Sequence, residues 1–240
     1  LDERIFNSLP HESEYDVLGF ISAYARGLKD WERDIIEIIR DEAHYFMPQI
    51  RTKIMNEGWA CFWHFKILEK LDMPQKYHIP FLKSHNQVVR PHLGSINPYH
   101  IGFHLFNKIE ERYGLDECFI AREVHHDESF LRQYLTREDC EELNLFSYSD
   151  NEDNIEVTEV SDHDGWQHVK KTLLTQIGSN SIPVIYVDFV EGDTLILYHE
   201  HDGTRDLELN HANKVIKHTK KLWKNDVKLI TMVDDAPFEI

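Results

Sequence analysis

The sequence predicts an α+β fold, in which a mostly helical N-terminal region packs against a small C-terminal domain of element order ββαββαβ. Two observations support this prediction. Apolar residues recur at helical spacing up to about residue 142, whereas short strand-like segments separated by turn residues follow. We therefore predict two domains, a helical region over residues 1–142 and an α+β domain over residues 143–240.

The chain of 240 residues has the composition of a folded globular protein, with 41% hydrophobic and 29% charged residues. Its formal net charge of −17 would repel phosphate backbones, which argues against nucleic acid as a partner. No window approaches the run of about 18 apolar residues that a membrane span requires. The three cysteines lie far apart and suggest small buried side chains in a reducing cytoplasm, and the start at Leu1 rather than Met suggests a fragment.

Helical spacing of apolar residues predicts five helices in the first domain, over residues 15–28, 30–46, 51–71, 76–89 and 97–114. Pro48 is expected to disrupt the second of these helices. The start of the fifth helix is the clearest, because Asn97 offers an N-cap and Pro98 suits the first helical position. Shorter helices are expected between residues 127 and 143.

Strand-like segments begin the second domain, at residues 145–148 and 155–160, and an acidic turn separates them. Asp164 can cap a following helix, which Gly178 can end. The remaining predicted elements are a hairpin of strands 182–190 and 194–199, a helix over 212–223 and a strand over 227–233.

The densest group of chemically active side chains lies between residues 40 and 64 and includes Glu42, Glu57 and His64. Glu57 and His64 are seven residues apart, so one helix would place them on the same face. A carboxylate and an imidazole so placed could ligate a metal, or act as a base and its orienting partner, with Glu42 a candidate catalytic base. The alternative is a buried hydrogen-bond network that fixes the helix register.

His100 and His104 form a second candidate metal pair, because four-residue spacing places both rings on one helical face. An exposed helix face that happens to carry two histidines is the alternative, since the chain has 16. Residues 56–60, Asn-Glu-Gly-Trp-Ala, also look like the segment that supplies a glutamate ligand in certain zinc peptidases. The partner motif His-Glu-x-x-His is absent from the sequence, so zinc is only a candidate cofactor.

Several longer motifs resemble the SpoVR family (stage V sporulation protein R-like), and in particular the C-terminal portion of its members. They are LKDWERDI at 28–35, the turn at 45–49, MNEGWA at 55–60 with Trp-His at 63–64, INPY at 96–99, DESFLRQYL at 127–135 and Leu-Trp at 222–223. The resemblance implies a bacterial cytoplasmic protein connected with spore cortex formation, or with stress-related envelope processes in bacteria that do not sporulate. It also implies a PrkA-type serine kinase and a companion protein as partners.

Two functions are therefore compared. The first is a regulatory or scaffold protein of sporulation that acts through partners. The second is a metal-dependent hydrolase of peptide or peptidoglycan bonds, whose site would combine Glu57 and His64 with histidines of an N-terminal region that longer family members contain. A hydrolase needs its residues to converge in an accessible pocket, whereas a scaffold needs an exposed apolar or charged patch.

Overall fold

The structure is a computed structural model that describes residues 15–92, 95–151, 154–201, 206–233 and 236–240. Its helices are α1 (Val17–Tyr24), α2 (Asp30–Ile50), α3 (Lys53–Lys70), α4 (His78–Val89), α5 (Pro98–Tyr113), α6 (Leu115–Val124), α7 (Asp127–Tyr134), α8 (Arg137–Glu142), α9 (Trp166–Thr175) and α10 (Leu209–Trp223), with 3-10 turns at Gln75–Tyr77 and Gly178–Ser181. Its strands are β1 (Phe146–Asn151), β2 (Asn154–Val160), β3 (Ile185–Glu191), β4 (Thr194–His199), β5 (Val227–Val233) and β6 (Ala236–Glu239). The predicted α+β class is confirmed.

The chain divides into two compact units. The first unit joins Leu1–Phe46 to Ile182–Ile240, and the second is the continuous segment Met47–Ser181. The predicted boundary after residue 142 lies inside the second unit, where helix α8 gives way to the β1–β2 hairpin. As a domain boundary it stays a prediction. Among the described helices, none combines the length and the apolar character that crossing a membrane requires.

The first unit is built on a mixed sheet of order β3-β4-β5-β6. Strands β3 and β4 form the predicted antiparallel hairpin, while β4 and β5 are parallel because α10 crosses between them. Strand β6 adds an antiparallel edge that the sequence did not predict. The core of the unit brings residues from the two ends of the chain together, including Phe20, Ile21, Leu195, Ile216, Trp223 and Leu229.

Helices α3 and α5 pack at van der Waals distance in the second unit, because a glycine of each faces the other. A Cβ atom built on Gly58 would lie 2.4 Å from the Cα and carbonyl carbon of Gly102. A Cβ atom built on Gly102 would lie 2.3 Å from the carbonyl oxygen of Ile54. Neither position has room for any other residue unless the helices separate.

Polar side chains fix the starts of these two helices. Asn97 accepts a hydrogen bond from the Tyr99 amide at 3.0 Å, with Pro98 at the first helical position, as the sequence predicted. The carboxylate of Asp127 accepts bonds from the Ile54 and Met55 amides, both at 2.9 Å. Asp127 comes from the start of α7, so one buried carboxylate ties α7 to the first turn of α3.

Two helices differ from the sequence predictions. Helix α2 continues through Pro48 and ends at Ile50, because a proline in the last turn removes one hydrogen bond without breaking the turns before it. Helix α6 was not predicted. It begins directly after Gly114, which has a φ of 92°, and no side chain caps its first turn.

Candidate functional site

Glu57 lies half-buried on α3, the helix on which the sequence placed it. Its Oε2 atom is shielded from solvent and has no hydrogen-bond partner among the described residues. Burial raises the pKa of Glu57, and the nearby charge of Lys53 only partly opposes this effect. Glu57 is therefore a half-buried carboxyl group with one oxygen that lacks a hydrogen-bond partner among the described residues.

Tyr99 and Cys61 lie close enough to Glu57 for its charge to raise their pKa values. The charge of Glu57 is the largest cause of the raised pKa of Tyr99, at the start of α5. Burial and then Glu57 raise the pKa of Cys61, one turn further along α3. Both groups therefore remain protonated at neutral pH and could donate hydrogen bonds to a ligand held by Glu57.

His64 is exposed near the middle of α3, and its ring centroid lies 6.4 Å from that of His85 in α4. His85 is only 4% exposed, and its Nε2 atom has no hydrogen-bond partner among the described residues. Phe65 and Phe103 surround it, with ring centroids 5.0 and 4.8 Å away. Burial lowers the pKa of His85, so its ring is neutral at neutral pH. His85 was not predicted from the sequence as a site residue.

His104 belongs to a separate buried network on α5. Its Nε2 atom donates to Oδ1 of Asp139 at 3.1 Å, and the Arg112 guanidinium donates to both oxygens of the same carboxylate at 2.8 and 2.9 Å. Burial opposes ionisation of Asp139, but these hydrogen bonds outweigh it and hold the pKa of the carboxyl well below its usual range. Asp139 thereby joins α8 to α5.

His100 has a different partner from His104, although both lie on α5. Burial lowers the pKa of His100, and the nearby backbone carbonyl of Val89 at the end of α4 only partly opposes this effect. The four-residue spacing of the two histidines is as predicted. Their side chains, however, lie next to different residues, Val89 for His100 and Asp139 for His104.

The candidate metal ligands do not form a common cluster in the described part of the chain. In the part of the chain that the structure describes, no three His, Cys, Asp or Glu side chains are arranged to hold a metal ion. The metal-binding roles of Glu57, His64, His100 and His104 therefore stay predictions. The same holds for a zinc-dependent hydrolase with Glu42 as its base.

Glu42 lies on the exposed side of α2, in the first unit. Only Ile36 is buried along this helix of 21 residues. The large apolar side chains that remain exposed follow each other at helical spacing, and we call them the α2 face: Trp31, Ile35, Ile38, Ile39, Tyr45 and Phe46. Glu42 falls in the middle of this face.

Acidic side chains border the α2 face. Asp34 and Asp41 are exposed along one edge of it, and Glu42 adds a further negative charge within it. Arg40, on the opposite side of the helix, is neutralised by ion pairs with Asp16 and with Glu37 at 2.9 Å. The face therefore presents an apolar surface with a negative border.

Two family models and one curated protein match this chain. The model of the family described as SpoVR like protein matches residues 2–182, and that of the SpoVR-like C-terminal domain matches residues 180–234. The protein of Escherichia coli strain K12 named uncharacterized protein YcgB is 30% identical to the chain over an alignment 264 residues long, gaps included, which covers 96% of this chain and 52% of that protein. No solved structure matches the chain.

The chain thus spans about half the length of the curated relative that it matches. The resemblance is not limited to a C-terminal portion, because the first family model covers the helical segment and the second covers most of the sheet-forming residues. The motifs around Glu57, Asn97 and Asp127 all fall within the first match. The chain belongs to the SpoVR family.

Proposed function

We propose that this chain is part of a bacterial cytoplasmic sporulation protein that acts as a regulatory or scaffold protein in spore cortex formation, or in stress-related envelope processes. In this proposal the α2 face binds a partner protein. Membership of the SpoVR family supports the connection with sporulation. The exposed apolar side chains of α2 support the mode of action, and they are the observation that carries the proposal.

The α2 face has the pattern of a helix that docks into a groove. Its apolar side chains recur every three or four residues from Trp31 to Ile39 and return at Tyr45 and Phe46, with Glu42 at the position between, and this is the spacing at which a helix anchors itself in an apolar groove. Single exposed apolar residues are common on any protein, but several large ones on one helix face mark an interaction surface. A scaffold requires such a surface and no catalytic group.

The partner that fits this face has an apolar groove bordered by lysine or arginine side chains. Asp34 and Asp41 would oppose those basic residues at the edge, and Glu42 would pair with one of them in the interior. We propose a PrkA-type serine kinase as that partner, because the family resemblance implies it. The kinase would contact Trp31, Ile35 and Ile38 in the N-terminal half of the face.

Replacing Ile38 by aspartate is expected to weaken binding of the purified kinase about 30-fold, since a central apolar anchor is worth about 2 kcal/mol. Ile38 is 64% exposed, so the substitution should leave the fold intact. Isothermal titration calorimetry gives the dissociation constants. Ile79→Asp is the matched control, because Ile79 is a 60% exposed isoleucine on another helix, α4.

Equal loss of affinity in both variants would contradict a specific role of the α2 face, as would a wild-type chain that does not bind the kinase. A lower melting temperature of a full-length family member that carries Ile38→Asp, measured without the kinase, would also contradict the proposal. It would show that another part of the longer protein covers the α2 face, so the kinase could not bind there.

A further inference from the structure

A cavity of about 530 Å³ lies within the second unit. Its wall consists of the loop before α5, the first turn of α5, the segment between α8 and β1, strand β2 and helix α9. Protein interiors contain few voids larger than a water molecule, whereas small-molecule sites measure roughly 300–1,000 Å³. The cavity therefore has the size of a ligand site rather than of a packing defect.

The wall of the cavity is mainly apolar. Aliphatic side chains from four segments line it, among them Ile96, Ile101, Leu145, Val169 and Leu173. Of the described residues that line it, none is Asp, Glu, Lys or Arg. An ionic ligand would lose its hydration here without gaining a counter-charge, and that loss costs several kcal/mol. The wall therefore selects for an uncharged ligand.

The amide group of Asn97 is not available to a ligand. Its Nδ2 atom donates to the carbonyl oxygens of Val88 and Arg90 at 2.9 and 2.7 Å, and its oxygen accepts from the Tyr99 amide. Asn97 thus holds the rim of the cavity in shape. Asn97 therefore stabilises the wall, and other side chains must form the hydrogen bonds to a ligand.

The other polar side chains of the wall are His92, Ser95, His100, Asn144, Thr172 and Gln176. Of these we take His100, which is partly buried in the first turn of α5, as the group that recognises a ligand. The backbone carbonyl of Val89 lies near the His100 ring, and burial lowers the pKa of His100, so the ring is neutral at neutral pH. A neutral imidazole with one nitrogen acting as donor has its other nitrogen available as an acceptor. Because His100 lines the cavity, that acceptor suits a ligand with a hydroxyl or an amine N–H.

We infer that this cavity binds an uncharged, mainly apolar small molecule that donates a hydrogen bond to His100. The inference goes beyond the proposed partner binding and does not depend on it, because it uses only residues of the second unit. It also gives His100 a role other than metal ligation.

The probe for this site is N-phenyl-1-naphthylamine, an uncharged apolar molecule with a single N–H donor. The 240-residue chain is titrated with it, and the emission of the naphthyl group is followed. We expect saturable binding of one probe per chain. The charged counterpart 8-anilino-1-naphthalenesulfonate has a similar ring system with an added sulfonate. It should not compete for this site.

Two tryptophan substitutions on α9 and its C-cap locate the bound probe. Gln176 lines the cavity, so Gln176→Trp fills part of it and should lower the affinity at least about tenfold. Gln167 is exposed on the same helix and does not line the cavity, so Gln167→Trp should leave the affinity unchanged. His100→Phe keeps a ring but removes the acceptor, and should weaken binding about fivefold.

Circular dichroism during heating checks that each variant is folded, and His100→Phe provides the decisive test if Gln176→Trp does not fold. Equal probe affinity in wild type, Gln176→Trp and His100→Phe would overturn the inference. So would sulfonate binding that Gln176→Trp abolishes, because the site would then accept an anion. Absence of saturable probe binding would overturn it as well.

Discussion

Replacing Gly58 by alanine is expected to lower the free energy of unfolding of the second unit by about 3 kcal/mol. The added Cβ would lie 2.4 Å from backbone atoms of Gly102, which cannot rotate aside as a side chain could. Helices α3 and α5 would have to separate, and the core residues that they share, such as Met55 and Leu105, would lose contact. Urea denaturation followed by tryptophan fluorescence measures the effect.

Ala60→Gly is the matched control for Gly58→Ala. Ala60 is exposed two residues further along the same helix, and the change to glycine should cost about 1 kcal/mol through helix propensity alone. If helix propensity alone mattered, Gly58→Ala would instead stabilise the chain by a similar amount. A Gly58→Ala protein that is as stable as the wild type would show that the two helices can separate easily.

Asp139→Asn is expected to cost about 3 kcal/mol of stability at neutral pH, the lower end of the range for breaking a buried ion pair. The fully buried carboxylate of Asp139 accepts hydrogen bonds from Arg112 and His104, and asparagine cannot supply the negative charge that balances the guanidinium. Arg112 remains 27% exposed and keeps part of its hydration, which is why the loss is not larger. Urea denaturation at pH 7 measures it.

The pH dependence of stability should distinguish this variant from the wild type. The pKa of Asp139 in the folded chain is below its ordinary value of 3.8. Its contribution to the free energy of unfolding is therefore complete above about pH 3.8 and is lost as the pH falls through the folded-state pKa. The wild type should therefore lose stability more steeply than Asp139→Asn below about pH 4. Parallel curves for the two proteins would contradict the assigned role of Asp139.

Glu142→Gln is the control for the charge at Asp139. Glu142 also joins α8 to α5, through an ion pair with Lys108 at 3.0 Å, but its side chain is 51% exposed. An exposed pair gains little because water screens it, so this variant should lose less than about 1 kcal/mol. A similar loss in both variants would mean that burial of Asp139 has no special importance.

Elements with local signals were predictable from the sequence. The start of α5 depends on the adjacent residues Asn97 and Pro98, and both act as predicted. The β3–β4 hairpin depends on two apolar segments and the turn at Gly192, whose φ is 62°. Helix α6 lacks such a signal, because its first turn follows Gly114 without any capping side chain and is held by burial of Cys118 and Ala121.

The candidate site was predictable only along single helices. Helical spacing correctly placed Glu57 and His64 on α3, since that depends only on their separation in the sequence. Their neighbours come from other helices, with His85 on α4 and Tyr99 on α5. A sequence pattern does not reveal which helices pack together, so neither neighbour was identified. The Asp139 network was missed for the same reason.

The discontinuous make-up of the first unit affects the order in which the chain folds during synthesis. The second unit is one continuous segment, so it can begin to fold on the ribosome before the strands of the first unit have emerged. Helix α1 forms its core contacts later, because its partners on β3, β4 and β5 are translated only after the second unit. At roughly 5–20 residues per second, this delay is on the order of ten to forty seconds. The apolar residues of α1, such as Phe20 and Ile21, therefore need protection from aggregation on the ribosome.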